Sequence, residues 1–262
     1  MKRIVINGPN SFIGKNFYNR YKKKLNIYYY KNDINDLTYF KKYLKKKKFQ
    51  YFVHFAGLSR LKCSNNKKLC LKTNFLAIKN KIDFFNTLKN KPLFIFISSS
   101  HVYDYSKKKI RENFPKKPKD LYGKLKLKSE NYIKNNYRKY CILRLFNVYG
   151  AKQPKSYFVS DISEKINNNQ LIHIDKSVRD FLNVNEVVRV IYSVIKKDVR
   201  GTLNVGSGFG ISLKSVVKKI AVKLKKKPII KISNHSSKLV ASISLLNLHG
   251  IKIKKNEKNF NI

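Results

Sequence analysis

The sequence predicts an α/β fold in which a parallel, doubly wound sheet is covered by helices on both faces. Apolar runs alternate with segments of helical spacing from Arg3 to Phe146. These runs are apolar throughout, as expected for strands that are buried on both faces. A glycine-containing turn, Gly8–Gly14, follows the first run. Alternation of strands and helices is typical of parallel sheets, so the three observations point to one architecture.

Each element is predicted from its periodicity and its flanking residues. The predicted strands are Arg3–Asn7, Leu25–Tyr30, Phe49–Phe55, Leu93–Ile97 and Tyr140–Phe146. The predicted helices between them are Ser11–Tyr21, Leu37–Lys48, Asn74–Leu88 and Leu121–Tyr137. Shorter elements follow: a helix near 158–168, a strand–helix unit at 181–197, a strand at 202–205 and a helix at 212–224. We therefore expect a first domain at 1–150 and a smaller α/β lobe at 151–262, from which segments near 178–206 return to the first domain.

The chain of 262 residues carries a formal net charge of +45. Such a charge is usual for nucleic-acid-binding proteins, but here it comes from 50 Lys and only nine Arg, spread along the chain with no RNA-binding motif. Asn, Ile, Tyr and Phe are also abundant, a bias that A/T-rich codons explain. We expect no nucleic-acid partner, and a positive field that attracts anionic substrates.

The remaining composition is that of an ordinary cytoplasmic protein. No apolar run approaches the roughly 18 residues of a membrane helix, and the N-terminal run is too short for a signal peptide. Cys63, Cys70 and Cys141 form no CxxC pair, so we expect three reduced thiols. The five histidines are scattered, and no metal site is expected.

The turn after the first predicted strand has the context of a dinucleotide-binding loop. Gly8 permits a sharp turn and Gly14 lets the following helix approach the sheet, while the helix N-terminus favours a pyrophosphate. Ser11 stands where a middle glycine is usual. A plain strand–helix turn is the alternative reading of this segment. After the second strand, Lys31 favours NADP slightly, whereas an acid at this place, such as Asp33, suits the ribose hydroxyls of NAD.

Tyr122 and Lys126 lie on one face of a predicted helix, since residues four apart are neighbours there. A lysine cation near a phenol lowers the phenol's pKa and makes it a usable proton donor or acceptor. The spacing alone is uninformative, because six of the 17 tyrosines have a lysine four residues later. The position carries the prediction: Ser98–Tyr103 follows the strand Leu93–Ile97 at the sheet edge where ligands bind, and Tyr122 opens a helix about twenty residues later.

Together these segments resemble the extended short-chain dehydrogenase/reductase family, which includes sugar-nucleotide epimerases, dehydratases and reductases. The matching segments, in order, are Gly8–Gly14, Val53–Gly57, Asn74, Ser98–Tyr103, Tyr122–Lys126, Leu143–Gly150, Arg179–Val184 and Leu203–Gly208. The resemblance implies a Rossmann-type fold, NAD or NADP as cofactor, a nucleotide-diphosphate sugar as substrate and a role in polysaccharide biosynthesis. It also implies a homodimer through the helices at 74–88 and 122–137, which light scattering would test.

The resemblance further implies roles for single residues. Tyr122 is the catalytic acid/base, Lys126 binds the nicotinamide ribose and tunes Tyr122, and Ser99 holds the reacting sugar oxygen. Besides Tyr122 and Lys126, the cofactor-binding residues are Gly8, Ser11, Phe12, Ile13, Gly14, Asp33, Ala56, Gly57 and Asn74. The substrate-binding residues are Ser99, Ser100, Asn147 and Arg179. The structural alternatives are a strand-end cap for Asn147, a salt bridge to Asp180 for Arg179 and a turn acid for Asp33, while His101 is expected only to shape the site.

The residues after Ser99 bear on the reaction. Family dehydratases have Thr at the Ser99 position followed by an Asp-Glu pair that moves protons, whereas Ser100 and His101 follow here. This disfavours dehydration and leaves two reactions. The similarity of 147–166 and Arg179–Val188 to GDP-4-keto-6-deoxymannose reductases favours hydride reduction of an NDP-4-keto-6-deoxyhexose at C4. An NDP-hexose 4-epimerase with retained NAD is the alternative. A catalytically drifted Rossmann scaffold or a basic binding protein are alternatives of another class.

Overall fold

The computed structural model describes residues 1–254 and confirms the predicted parallel sheet. The strands are β1 (Arg3–Asn7), β2 (Asn26–Tyr30), β3 (Tyr51–His54), β4 (Leu93–Ser99), β5 (Tyr140–Leu145), β6 (Asn147–Tyr149), β7 (Ile172–Asp175), β8 (Val178–Arg179), β9 (Phe181–Asn183), β10 (Gly201–Val205), β11 (Ile211–Ser212), β12 (Ile230–Ser233) and β13 (Lys238–Leu239). The α-helices are α1 (Phe12–Tyr21), α2 (Leu37–Lys45), α3 (Arg60–Asn65), α4 (Lys67–Leu71), α5 (Ala77–Asn86), α6 (Leu121–Asn136), α7 (Phe158–Asn167), α8 (Val184–Lys197), α9 (Leu213–Leu224) and α10 (Ser244–Leu248).

Six strands form the main sheet in the order β10-β5-β4-β3-β1-β2. The pairs β1–β2, β1–β3 and β3–β4 are parallel. From β1 the chain moves outward to β2 in one direction and to β3, β4 and β5 in the other. The strand order therefore reverses between β1 and β3, and a doubly wound sheet leaves a ligand-binding crevice at such a point, outside the carboxyl ends of its strands.

The core explains why the strands are apolar throughout. Every residue of β4 is buried, and Phe94 and Phe96 belong to a cluster with Phe85 of α5 and Phe40 of α2. Rings pack at 6.0 Å between the centroids of Phe85 and Phe94. Burying one such ring stabilises the fold by about 1.5–3 kcal/mol, so this cluster fixes α2 and α5 against the sheet.

The chain divides into two compact units. The first comprises Met1–Asp104, Pro115–Arg144 and Val188–Leu203, and it holds the main sheet apart from the last residues of β5 and β10. The second comprises Tyr105–Phe114, Leu145–Val187 and the described chain from Asn204 onward. It contains three small sheets, in the orders β11-β8-β13, β12-β7 and β6-β9, and its own apolar core.

The segment between β3 and α5 differs from the prediction. Two short helices, α3 and α4, precede a π-helical turn, Lys72–Leu76, where the sequence predicts the start of one regular helix. Cys63 and Cys70 are joined by a disulfide, so the expectation of three reduced thiols is wrong for this pair. The turn between α3 and α4 brings the Cα atoms of the two cysteines to 5.0 Å from each other. A sequence separation of seven does not by itself indicate this proximity. Cys141 is a buried free thiol.

Neither a membrane helix nor a metal cluster is found among the described residues. None of the helices within 1–254 has both the length and the apolar character that crossing a membrane requires. The same residues hold no group of three or more His, Cys, Asp or Glu side chains arranged to bind a metal ion.

Candidate active site

The turn after β1 packs tightly against the end of β3. Gly8 has φ +63°, and a Cβ added there would lie 2.4 Å from the backbone nitrogen of Ala56. Asn7 Oδ1 accepts a hydrogen bond from Phe55 N at 3.1 Å and ties the two strand ends together. Only glycine satisfies both the left-handed backbone and the close contact, so the turn depends on Gly8.

Ser11, which stands where a middle glycine is usual, is the N-cap of α1. Its Oγ accepts a hydrogen bond from Gly14 N at 3.1 Å, and a Cβ on Gly14 would lie 2.5 Å from the carbonyl oxygen of Gly8. Phe12 and Ile13 form the first turn of α1 and are half-buried. The N–H groups of a first helical turn have no partners within the helix and attract anions. The turn therefore fits a diphosphate.

Asp33 lies in the exposed turn after β2. Its Oδ1 accepts hydrogen bonds from Asn35 N and Asn35 Nδ2, both at 2.9 Å. The bond from the Asn35 backbone is the main reason that the pKa of Asp33 is lowered. The carboxylate is thus ionised and exposed, as a group that binds ribose hydroxyls must be, and it also has the contacts of a turn acid.

Asn74 fixes the loop after β3. The side chain is buried, its Oδ1 accepts from Leu58 N at 2.7 Å, and its Nδ2 donates to Leu58 O at 3.0 Å. A Cβ on the exposed Gly57 would lie 3.2 Å from Asn74 Oδ1. Ser129 Oγ donates to Asn74 O at 2.7 Å and links this segment to α6. Asn74 therefore shapes the Ala56–Gly57 loop through the backbone of Leu58.

Ser99, Tyr122 and Lys126 all lie in the first unit, Ser99 at the last position of β4 and the other two on α6. The Lys126 ammonium donates a hydrogen bond to Ile97 O at 2.8 Å and lies 5.7 Å from the centroid of the Tyr122 ring. No salt bridge to Lys126 is found among residues 1–254. Burial lowers the pKa of Lys126 to about 8, although the charge of Glu130 opposes this shift. The structure thus places a buried cation beside the phenol.

The start of α6 packs against the turn Ser100–Val102. A Cβ on Gly123 would lie 2.3 Å from the carbonyl oxygen of His101, so this position also requires glycine. The close approach sets the Tyr122 ring perpendicular to the His101 ring, with 5.5 Å between the centroids. Asp120 caps the helix by accepting from Gly123 N at 2.7 Å. Sequence reasoning included Gly123 in the matching segment Tyr122–Lys126 without giving it a role, and it did not identify Asp120, although Asp three residues before Gly123 is an N-cap signal.

His101 and Asp120 form a pair on this side of the site. His101 Nδ1 lies 3.1 Å from Asp120 Oδ2, and Arg60 Nε lies 2.9 Å from the same oxygen. Burial raises the pKa of Asp120, but the hydrogen bonds from His101 and Gly123 and nearby positive charge together lower it to about 2. Asp120 is therefore an anion, and it orients the His101 ring.

Behind β4 lies a buried ion pair that the sequence did not indicate. Glu130 of α6 and Arg144 of β5 are both fully buried, and Arg144 Nη2 lies 2.6 Å from Glu130 Oε2. Ser98 Oγ donates to Glu130 Oε1 at 2.6 Å, and Arg144 Nη1 donates to the Tyr103 hydroxyl at 2.5 Å. This network holds the end of β4, and with it the backbone of Ser99, against α6.

Of the substrate-binding residues predicted from the sequence, Ser100 is buried in the first unit, where its carbonyl accepts from Tyr103 N at 3.0 Å. Asn147 and Arg179 lie in the second unit. Asn147 Nδ2 donates to Asp180 O at 3.0 Å. Arg179 donates to Val178 O and Ser237 O, and its guanidinium stacks on Tyr105 at 4.9 Å.

Asp180 does not form the salt bridge considered for Arg179. Its buried carboxylate accepts from Ser207 N and Oγ, both at 2.7 Å, and from Gly208 N and Ala241 N at 3.0 and 3.1 Å. The acid is thus fully occupied in joining three segments of the second unit.

Known proteins resemble this chain over most of its length. A protein-family model described as GDP-mannose 4,6 dehydratase matches residues 4–255. The chain is 27% identical over 220 residues to a dTDP-D-glucose 4,6-dehydratase of Dictyostelium discoideum, covering 76% of this chain and 50% of that protein. It is also 27% identical over 226 residues to a GDP-6-deoxy-D-talose 4-dehydrogenase of Aggregatibacter actinomycetemcomitans, covering 80% of this chain and 76% of that one. The chain therefore spans only half the length of the Dictyostelium relative.

Solved structures share the fold at low sequence identity. The UDP-glucose 4-epimerase of Thermus thermophilus, in complex with NAD, superposes with a TM-score of 0.85 at 19% identity. The match covers 98% of this chain and 96% of the epimerase chain. This likeness shows that the chain has the same fold.

Proposed function

Because this chain belongs to the extended short-chain dehydrogenase/reductase family, whose GDP-mannose 4,6 dehydratase model matches residues 4–255, we propose that it is an NAD(P)-dependent enzyme that modifies a nucleotide sugar. One observation carries the proposal. Tyr122 lies beside the buried Lys126 ammonium, and Ser99 ends β4 in the same unit. The carboxyl edge of a parallel sheet is where this fold binds its ligands.

The turn after β1 fits a dinucleotide, NAD or NADP. Gly8 and Gly14 bring the backbone and α1 close to the sheet, where a Cβ at either position would collide with backbone atoms. The first turn of α1 would hold the pyrophosphate, together with Ser11, Phe12 and Ile13. Asp33 would hold the adenosine ribose, and Ala56, Gly57 and Asn74 would line the site. A nicotinamide bound there supplies or accepts the hydride.

We assign the proton transfer to Tyr122. When a sugar ketone is reduced, its oxygen gains a proton, and the Tyr122 hydroxyl donates it while Ser99 hydrogen-bonds the same oxygen. The Lys126 cation stabilises the phenolate that remains, because an opposite charge nearby favours the ionised form. Lys126 would also hydrogen-bond the nicotinamide ribose. As the family resemblance implies, we assign binding of the nucleotide sugar to Ser100, Asn147 and Arg179; hydrogen bonds between arginine and phosphate are strong.

We propose as the specific reaction the reduction of an NDP-4-keto-6-deoxyhexose at C4. Two observations support this choice over dehydration. His101 and Ser100 stand where dehydratases have an acidic pair, and the name of the Aggregatibacter relative describes oxidation–reduction at C4 of a GDP-6-deoxy sugar. The alternative is a 4-epimerase, which would use Ser99, Tyr122 and Lys126 in both directions and retain its NAD.

The test is loss of NADPH or NADH absorbance when the purified chain meets GDP-4-keto-6-deoxymannose. We expect oxidation in proportion to the substrate added, abolished in Tyr122→Phe. No oxidation, together with cofactor that copurifies and interconversion of NDP-hexose C4 epimers, would establish the epimerase instead. Absence of oxidation, interconversion and cofactor binding would mean that the chain is a Rossmann scaffold without this chemistry.

A further inference from the structure

We propose that Lys81 is a positioning residue of the cofactor site, which holds the turn 33–36 and thereby sets the affinity for the adenosine half of the dinucleotide. Lys81 lies on α5, in the same compact unit as this turn. The inference rests on the proposed function, since it requires a dinucleotide bound next to the turn after β1. It concerns a residue that belongs to none of the matching sequence segments and takes no part in proton or hydride transfer.

The ammonium of Lys81 connects α5 to the turn that follows β2. Its Nζ donates hydrogen bonds to Ile34 O at 2.5 Å and to Ala77 O, one turn earlier on α5, at 3.3 Å. Lys81 and Ile34 are separated by 47 positions in the sequence. The position of the turn therefore depends on a side chain from a distant segment, and not only on its own backbone.

The turn carries the acid that we assign to the adenosine ribose. The Tyr30 hydroxyl donates to Asp33 O at 3.1 Å, and Asn35 N donates to Asp33 Oδ1 at 2.9 Å. These two bonds fix the residues on either side of Ile34, whereas the bond from Lys81 fixes Ile34 itself. Without the ammonium the centre of the turn would lose its tie to α5, and the Asp33 carboxylate would be held less precisely for a ligand.

The charge of Lys81 acts on the same acid without contact. Lys81 forms no salt bridge with any residue of the chain between 1 and 254. Burial lowers the pKa of Lys81 to about 8, although the charge of Asp33 opposes this shift. The bond from the Asn35 backbone is the main reason that the pKa of Asp33 is lowered, and the charges of Lys72 and Lys81 lower it further. The lysine thus holds the turn and favours the ionised form of the acid on it.

A purely structural role explains Lys81 less well. The residue is only 1% exposed, and its ammonium lies 4.8 Å from the centroid of the Phe40 ring, a member of the apolar cluster around β4. A methionine, of similar length, would pack against Phe40 without the cost of removing a charge from water. What methionine cannot supply is a hydrogen bond to the Ile34 carbonyl. The stability of the core therefore does not account for a lysine at this position, whereas its bond to the turn does.

The experiment is isothermal titration calorimetry of the purified full chain at pH 7, with NAD and separately with inorganic pyrophosphate. In Lys81→Met we expect the Kd for NAD to rise by about 10-fold, the effect of losing one hydrogen bond from a charged donor. The Kd for pyrophosphate should not change, because this probe has the diphosphate but no adenosine. Lys79→Met removes a half-exposed lysine from the same helix; it is the matched control and should bind both probes as the wild type does.

A double-mutant cycle separates positioning of the turn from an unrelated structural effect. Asp33→Asn keeps an oxygen that can accept from Asn35 but removes the charge assigned to the ribose. If Lys81 acts through this acid, the two substitutions are coupled, and Lys81→Met should weaken NAD binding by less than about 3-fold in the Asp33→Asn background. Urea denaturation of the same samples verifies that each variant is folded.

The outcomes separate this inference from the proposed function. The role of Lys81 is overturned, and the proposed function left standing, if Lys81→Met binds NAD as the wild type does, if it loses NAD and pyrophosphate affinity equally, or if its loss is the same with and without Asp33→Asn. The expected loss of NAD affinity in a chain that neither reduces nor epimerises a nucleotide sugar supports the role of Lys81 and overturns the proposed function. A wild-type chain that does not bind NAD overturns both.

Discussion

Two buried cations lie close to the end of β4, and they differ in their partners: one has a counter-charge in contact with it and the other does not. Arg144 is fully buried but paired: Glu130 accepts three of its hydrogen bonds, and Tyr103 accepts another. Lys126 is also buried, but its ammonium donates to the carbonyl of Ile97, and Glu130 influences it only at a distance. Although burial opposes it, the hydrogen bonds and charge of Glu130 raise the pKa of Arg144 above its usual value, whereas burial lowers the pKa of Lys126 to about 8.

The difference separates a structural charge from a functional one. A paired, hydrogen-bonded ion in the interior fixes the elements that carry it, and removing one partner is costly. A cation buried without a counter-charge carries the cost of its desolvation, which stabilising the fold does not explain. Perturbed groups of this kind concentrate at functional sites. The same unit contains a third case, Lys81 of α5, whose pKa burial also lowers to about 8.

The largest expected effect on stability comes from breaking the buried ion pair of Glu130 and Arg144. Glu130→Gln leaves the Arg144 guanidinium buried without a counter-charge, and we expect the free energy of unfolding to fall by about 3–5 kcal/mol. Urea denaturation followed by circular dichroism measures it. Glu164→Gln breaks the exposed pair with Lys155 and should cost less than about 1 kcal/mol. Equal losses in the two variants would contradict the structural role of Glu130.

Lys126→Met should separate activity from stability. We expect kcat/KM for the keto sugar to fall by about 100-fold, because the phenolate of Tyr122 loses its cation. The free energy of unfolding at pH 7 should stay equal or rise, since the variant buries no charge. Absorbance assays and denaturation of the same samples measure the two. Lys124→Met, on the exposed side of the same helix, should change neither. A destabilised Lys126→Met would show that this cation is structural as well.

Lys81→Met tests the cost of an unpaired cation. The pKa of Lys81 is about 8 in the folded chain and near 10.5 when unfolded, so its burial destabilises the fold fully below pH 8 and not above about pH 10.5. We expect the variant to be more stable by about 2–3 kcal/mol at pH 7, less any loss from its bond to Ile34 O, with the gain vanishing as pH rises through this window. Denaturation at several pH values measures this gain. Lys79→Met, half-exposed on the same helix, should show no such trend, and a pH-independent gain at Lys81 would contradict the explanation.

The smallest effect on stability should come from Ser98, a neutral residue hydrogen-bonded to the Glu130–Arg144 ion pair. Ser98→Ala removes the hydrogen bond to Glu130 Oε1, and we expect the free energy of unfolding to fall by about 1–2 kcal/mol. Glu130 keeps Arg144 as a partner, so the pair survives. A loss as large as that of Glu130→Gln would mean that the hydroxyl, and not the ion pair, holds β4 against α6.

Much of the first unit could be predicted from periodicity. Strand β1 has the bounds that the sequence predicts, and the other four strands of the first half differ from prediction by one or two residues at one or both ends. Helices α3 and α4 were not predicted, because their six and five residues are too few to show a helical periodicity. The disulfide between Cys63 and Cys70 was not predicted either, because the turn between these two unpredicted helices is what brings the sulfurs together.

The sequence by itself determined the parallel sheet, the glycine turn and the helix that carries Tyr122 and Lys126, because each depends on local spacing and on the apolar pattern of one segment. Only the tertiary structure decided which charges are paired. Glu130 meets Ser98 and Arg144 across separations of 32 and 14 residues, and His101 meets Asp120 across 19. In a chain with 59 basic residues, no pattern of sequence distinguishes a buried lysine from a solvated one. Burial and partners set a pKa, and both arise only when distant segments pack.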